Sequence, residues 1–423
     1  MEIGKGTGPK RNTLREALSL LRRNGDFTRL YTAQLISYAG DWFATVALLG
    51  LINDFTGSSA LTVGVIVAQL MTFAVLSPIG GYLADRFNRQ RLMVSTDLIR
   101  AVLALGLLLV NGRDLVWLGF VLAAGASGLG AFFEPASTAA VPNLVDEEDL
   151  PVANVLVGAA WGTMLAVGGA LGGLVAATLG RDAAFIGNAL SFFLSAMLLI
   201  GIRRRFEDAR EERVQARMGA AVVETIRYAR RDDRVLALLV VKGGFGLGAG
   251  VIGLLAIFSL RVFDTGDAGT GILYAFRGVG ALVGPFLARA FVRDAVSLFR
   301  AIGAALAVYG VFYALFPLMG TLWTAAPFAL LAHLGGGAVW TLSTYGLQIM
   351  VPDRIRGRVF SLDFLLVTLT IAVSNLLAGW AADEIDPRIV MGILAGVSVT
   401  YAVIWTSLTA AIRRRERASV SVV

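Results

Sequence analysis

Twelve apolar stretches alternate with short polar connectors along this chain. They lie near residues 29–52, 60–82, 91–111, 115–139, 152–178, 183–202, 235–260, 268–291, 296–318, 321–348, 358–381 and 387–411. Each is about 20 residues or longer, the length a helix needs to cross a hydrocarbon core of roughly 30 Å. Lipid offers no partner to a free backbone N–H or C=O, so every stretch is expected to be an α-helix. The only long hydrophilic interruption, 203–234, divides the pattern into six and six. This predicts an all-α membrane protein with an N-tail at 1–28, a six-helix half at 29–202, a central loop at 203–234, a second half at 235–411 and a C-tail at 412–423. Inside the central loop Met218, Val222 and Ile226 recur at helical spacing, with Arg227, Arg230 and Arg231 on other faces. That pattern suits an amphipathic helix on the membrane surface or a solvated linker helix.

The two halves echo one another. Between the second and third stretches the chain reads G-Y-L-A-D-R-F-N-R-Q-R from Gly81 to Arg91, and a worn copy, G-P-F-L-A-R, starts 203 residues later at Gly284. Trp117 and Trp323 open the fourth and tenth stretches, 206 apart, and Pro142 and Pro352 close them, 210 apart. Near-constant offsets of this kind predict parallel repeats related by an axis along the membrane normal.

Charge then orients the pattern. Only 16% of the 423 residues are charged, against 57% hydrophobic, and the mean hydropathy is +0.73. With both termini on one side, connectors on that side carry thirty Lys and Arg, and the opposite connectors carry four: Arg113, Arg181, Arg261 and Arg388. The positive-inside rule therefore predicts that both termini are cytoplasmic, in the plasma (inner) membrane. The net charge of +7 follows from the same bias, so no nucleic-acid partner is expected. Cysteine is absent, which removes disulfides and thiolate metal sites. No phosphate-binding G-x-x-x-x-G-K-S/T motif, metal cluster or nucleophile–base constellation is evident, so neither an enzyme nor a cofactor is expected.

The loop from Gly81 resembles the signature of the major facilitator superfamily, G-x-L-A-D-R-x-G-R, through Gly81, Leu83, Ala84, Asp85, Arg86 and Arg89. Asn88 replaces the second glycine, and asparagine tolerates the left-handed backbone expected there. Three further stretches are similar to the branch that includes macrolide-efflux and enterobactin-exporter proteins: Gln34 to Trp42, Glu134 to Val145 and Val351 to Ser361. Gly168, Gly169, Gly172 and Gly173 resemble the antiporter signature G-P-x-x-G-G, with Gly169 in place of proline. The resemblance implies alternating access about a cavity lined by stretches 1, 4, 7 and 10. It also implies a gate in which, in the outward-open state, Glu134 pairs with Arg86 or Arg89 while Asp85 lies against the start of stretch 11.

Seven charges inside the apolar stretches are candidates for the chemistry, because a charge in lipid is costly and faces a cavity or a partner. Asp41 sits near the middle of the first stretch, as a carboxyl that binds a proton or cation, or as one end of an inter-helix ion pair. Lys242 is the only lysine beyond the N-tail. It reads as a counter-ion to Asp41 or Glu134, a handle for an anionic substrate, or a side chain snorkelling to the surface. Arg277 suits a carboxylate or phosphate group, or a buried pair with a neighbouring acid. Asp97 and Arg100, three apart, are expected to satisfy each other or a neighbour, and Asp363 is similar. His333 reads as a packing residue or a proton shuttle. Together these predict a monomeric secondary transporter, with protons as coupling ion, exporting a small organic molecule. The alternatives are export of a defined anionic metabolite such as a siderophore or lysolipid, and a membrane sensor or scaffold without transport.

Overall fold

The computed structural model describes residues 13–204, 206 and 227–420. The spacing at Met218, Val222 and Ile226 lies outside the described residues. Among the described residues, twelve helices are long and apolar enough to cross a bilayer, and each coincides with one predicted stretch. Spans 1–6 are Gly25–Thr56, Ser59–Arg86, Arg89–Leu109, Arg113–Leu144, Leu150–Leu179 and Arg181–Ile200. Spans 7–12 are Asp233–Val262, Gly266–Arg289, Ala295–Leu318, Leu322–Met350, Ile355–Glu384 and Pro387–Ala418. A span of 32 residues, such as span 1, is about 48 Å long, so its ends stand clear of the hydrocarbon.

Turn chemistry explains where the helices stop. Span 1 ends at Gly57, whose φ of 62° is open to glycine at little cost, and Ser58 caps span 2 by accepting from the Leu61 N–H. The 2–3 connector uses a different device from the one expected. Asn88 is not left-handed: at φ −62° and ψ 116° it is extended, and its side chain accepts from the Arg91 N–H at 2.9 Å. Its short amide serves as the N-cap of span 3, which glycine has no side chain to do.

The described chain forms two compact units. One holds spans 1–6 together with residues 256–275, which are the end of span 7 and the start of span 8. The other holds the remainder of spans 7 and 8 and all of spans 9–12.

Both units use the same close approach. In the first, a Cβ added at Gly80 would lie 2.0 Å from the Ala131 carbonyl oxygen, so span 2 sits directly on the backbone of span 4. In the second, a Cβ at Gly284 would lie 2.0 Å from the Leu334 carbonyl oxygen, joining spans 8 and 10 in the same way. Small residues let helix backbones meet and gain dispersion contacts that lipid-facing chains cannot. Ala131 and Leu334 are 203 apart, which matches the repeat. The packing glycine of the first half is thus Gly80. The signature glycine beside it, Gly81, has nothing within 4 Å of an added Cβ.

Span 7 is interrupted. Its first segment, Asp233–Gly248, stops, and a second begins at Val251 and runs into a π turn at Phe258–Val262. Span 11 takes up the freed backbone groups. The Gly250 N–H donates to Ser374 Oγ at 2.8 Å and the Gly253 N–H to Asn375 Oδ1 at 3.0 Å. Ser374 Oγ donates to the Leu247 carbonyl at 2.6 Å and Asn375 Nδ2 to that of Ala249 at 3.2 Å. Irregular backbone at this depth persists only when protein satisfies it. The run K-G-G-F-G-L-G-A-G from Lys242 is the sequence signal for the break.

Candidate functional site

The intramembrane charges fall into separate groups. In the first unit Asp41 on span 1 meets Arg100 on span 3. Arg100 Nη2 donates to Asp41 Oδ1 at 2.7 Å and to Oδ2 at 2.6 Å. Arg100 Nη1 donates to Ser37 Oγ at 3.0 Å and to Asp97 Oδ1 at 3.2 Å, while Ser195 Oγ on span 6 donates to Asp97 Oδ2 at 2.5 Å. The guanidinium lies over the Phe192 ring, 4.1 Å from its centroid. Asp97 and Arg100 are buried; the Asp41 side chain keeps 40% of its surface exposed. Asp41 is therefore an accessible carboxylate held by a buried cation, and two acids share that cation. The i,i+3 spacing made Asp97–Arg100 legible in sequence. The Asp41 contact joins residues 59 apart and required the fold.

One helical turn away on span 1, Tyr38 meets span 4. Its hydroxyl donates to Glu134 Oε2 and accepts from Gln34 Nε2 at 3.0 Å. In this structure Glu134 takes a phenol; the pairing with a loop arginine is the expectation for the outward-open state. Glu134 lies ten residues before the end of the helix at Leu144, about 15 Å inside it. Arg89 meets span 4 further along, donating from Nη1 to the Ala139 carbonyl at 2.8 Å, and also to that of Phe206, beyond the end of span 6, at 3.1 Å. Gln90 Nε2 reinforces this by donating to the Leu199 carbonyl at 2.7 Å. Arg86 Nη1 donates to the Tyr82 hydroxyl at 2.5 Å. Asp85 is exposed, 3.9 Å from Arg89. The signature loop is therefore tied down by carbonyls of the last turns of spans 4 and 6 and of Phe206, and Asp85 stays exposed.

In the second unit Lys242 on span 7 is buried and pairs with Asp363 on span 11, neither of the partners expected for it. Its ammonium also donates to Thr344 Oγ1 at 2.8 Å and lies 5.0 Å from the centroid of the Trp340 ring, both on span 10. Arg277 on span 8 donates from Nε to His333 Nε2 at 2.9 Å. Arginine only donates, so Nε2 presents a lone pair and the neutral ring carries its proton on Nδ1. Nδ1 is 2.9 Å from the Tyr313 hydroxyl and 3.3 Å from the Ala329 carbonyl oxygen. His333 is a buried acceptor that fixes Arg277; to shuttle a proton through Nε2 it would have to release that arginine.

Two arginines that counted only as topology markers form a clasp in the first unit. Arg181, at the start of span 6, donates to Asp267 on span 8 and to Asp54 on span 1, each at 2.7 Å. Arg261, at the end of span 7, donates from Nε to Asn53 Oδ1 at 2.8 Å and from Nη1 to Ser59 Oγ at 2.7 Å, and also to the Gly57 carbonyl. A third far-side arginine, Arg388 in the second unit, donates to the carbonyls of Pro317 and Met319. The signal was available in sequence: these connectors carry four basic residues, and three of them, Arg181, Arg261 and Arg388, are engaged.

Among the described residues no group of acids and histidine is arranged to hold a metal ion. The geometry is that of helices bridged by buried ion pairs, with exposed carboxylate edges and an interrupted span, which is suited to binding and moving a solute. Comparison with known proteins agrees. The profile of the transmembrane secretion effector family matches residues 17–421. The chain is 25% identical to the putative bacilysin exporter BacE of Bacillus subtilis, over 86% of this chain and 90% of the relative. It is 26% identical to the multidrug efflux pump Tap of Mycolicibacterium fortuitum, over 85% of this chain and 90% of that one. Among solved structures, a POT family transporter in complex with a thioalcohol-conjugated peptide superposes with a TM-score of 0.73 at 11% identity, covering 92% of this chain and 96% of that one. A bacterial homologue of the human lysosomal transporter Spinster gives 0.68 at 15% identity, covering 96% and 97%. The chain belongs to the transmembrane secretion effector family, and it is a multi-pass, efflux-type transporter of the major facilitator superfamily.

Proposed function

We propose that this protein couples the efflux of a small organic molecule to proton movement by alternating access, with Asp41 as a coupling carboxyl. The observation that carries the reading is the sharing of one guanidinium, Arg100, by two carboxyl groups, Asp41 and Asp97. One cation offsets one anion, and a second ionised carboxylate at membrane depth is left uncompensated. A proton on Asp41, the exposed member, relieves that imbalance; its departure restores it. Asp41→Asn tests the assignment in proteoliposomes carrying an imposed pH gradient. The expected result is loss of gradient-driven transport with exchange between equal pools retained. Wild-type transport with an unchanged dependence on the gradient would refute it.

The same reading places both termini in the cytoplasm and the protein in the plasma membrane as a monomer. It makes the loop from Gly81, with Asp85, Arg86 and Arg89, part of the cytoplasmic gate. The charge bias of the connectors supports this orientation. Because the chain has no cysteine, single cysteines report topology directly. Arg113→Cys is expected to react with a membrane-impermeant maleimide in intact cells, and Arg414→Cys only after lysis. The opposite pattern would invert the orientation.

A further inference from the structure

We propose that Arg277 and Tyr309 hold a small inorganic anion, of the size and charge of chloride, inside the second unit. This site is separate from the coupling role of Asp41 and does not depend on it.

Charge at depth is unevenly matched in this unit. More than two turns from the end of any span, it carries two basic residues, Lys242 and Arg277, and one acid, Asp363. Asp363 is taken by Lys242, and both are buried. Arg277 is buried as well, and its Nε is spent on His333 Nε2, a neutral lone pair. The unit therefore holds one positive charge more than its acids at that depth can match, and a buried charge of that kind is costly. In the first unit the surplus is of acid, three carboxyl groups to one guanidinium, and those three are bonded to Arg100 and Tyr38.

Hydrogen bonding points to the same place. Tyr309 Oη on span 9 and Arg277 Nη1 on span 8 are buried and make no hydrogen bond. Tyr309 lies within the field of the guanidinium, and its ring stands edge-on to His333, with centroids 5.6 Å apart. Phe245 and Tyr313 pack the rest of the phenol, at 4.8 and 5.0 Å between centroids. A guanidinium only donates, and the phenol has an O–H to give, so both groups call for an acceptor. A buried donor without one costs free energy that an incoming acceptor recovers. Water accepts from both but leaves the charge in place; an anion meets both demands. Burial sets its size. Arg277 keeps 7% of its surface exposed, His333 3% and Tyr309 none, which suits a halide and excludes an aromatic carboxylate. Held there, the anion ties spans 8, 9 and 10 together.

The test is equilibrium binding of radioactive chloride to the purified full-length protein prepared in gluconate. Thermal unfolding in chloride and in gluconate, at equal ionic strength, accompanies it. The wild type is expected to bind one chloride saturably, to release it to bromide but not to benzoate, and to unfold at a higher temperature in chloride. Arg277→Gln should bind none. Tyr309→Phe removes one hydrogen bond to a charged ligand and should weaken binding about tenfold. In gluconate Tyr309→Phe should be no less stable than the wild type, because the lost hydroxyl has no bond there, so this variant keeps the test sound if Arg277→Gln does not fold. Asp41→Asn should bind chloride like the wild type, so a failure of the coupling reading and a failure of this one are seen separately. A wild type that binds no chloride, Tyr309→Phe binding it with wild-type affinity, or benzoate competing as well as bromide would each overturn the proposal.

Discussion

Removing Asp363 isolates the energetics of a buried ion pair. Lys242 and Asp363 each keep only 3% of their side-chain surface exposed, so solvent does not screen them. Asp363→Asn leaves an ammonium buried between spans 7, 10 and 11. Removing one partner of such a pair costs about 3–5 kcal/mol. Here Lys242 retains the Thr344 hydroxyl at 2.8 Å and the Trp340 ring at 5.0 Å. Those contacts recover about 1 kcal/mol, so the lower end, about 3 kcal/mol, is expected. Replacing both ends with apolar residues, Lys242→Met with Asp363→Leu, removes the buried charge altogether and should fall within about 1 kcal/mol of wild type. The assay is equilibrium unfolding in mixed micelles followed by tryptophan fluorescence, on the wild type, both single variants and the double. A coupling of at least about 2 kcal/mol is expected from the cycle. If Asp363→Asn alone is as stable as the wild type, or the double variant loses the sum of the singles, the burial argument fails.

Other outcomes follow from the same structure. Gly80→Ala should weaken the contact of spans 2 and 4 and lower thermal stability, because its methyl meets the Ala131 carbonyl at 2.0 Å; Gly81→Ala, with nothing within 4 Å, should unfold like the wild type. Equal effects would show that the signature position and not the contact sets stability. Hydrogen bonds from the Arg234 side chain and burial act in opposite senses on Asp232, and together with the Arg234 N–H the bonds hold its carboxyl below the usual range. A depressed folded value means that its stabilisation is complete above the unfolded value of about 3.9 and is lost as pH falls through the folded one. Asp232→Asn should therefore cost about 0.5–1 kcal/mol at pH 7, discounted for exposure, and progressively less as the pH falls below about 3.9. A cost that does not shrink in acid would mean the charge is not its source. Arg261→Ala should loosen residues 256–275 from the first unit and speed hydrogen exchange there, whereas Arg113→Ala should leave it unchanged.

Much of the fold was legible because lipid enforces a simple rule. An apolar run long enough to cross the core must be a helix, so twelve runs gave twelve helices, and the repeat showed in offsets near 203. The candidate site was legible as a set of residues but not as a set of partners. Asp41, Lys242 and Glu134 were singled out because charge is rare in such runs, yet each has a partner that spacing did not indicate. Short-range pairs such as Asp97–Arg100 can be read from one helix face; pairs between helices depend on which faces meet. The same limit applies to Asn88, expected to be left-handed and found as a cap, and to Gly81, whose neighbour Gly80 makes the close contact.

The sequence by itself determined the number of crossings, the duplication and the inventory of buried charge, because each is set by local composition against a bilayer of fixed thickness. Only the tertiary structure decided how that charge is shared: two acids on Arg100, Glu134 on a phenol, Lys242 balanced by Asp363. Ion pairing at membrane depth is settled within a few ångströms, and that distance is fixed by helix packing across residues 59 to 121 apart in the chain.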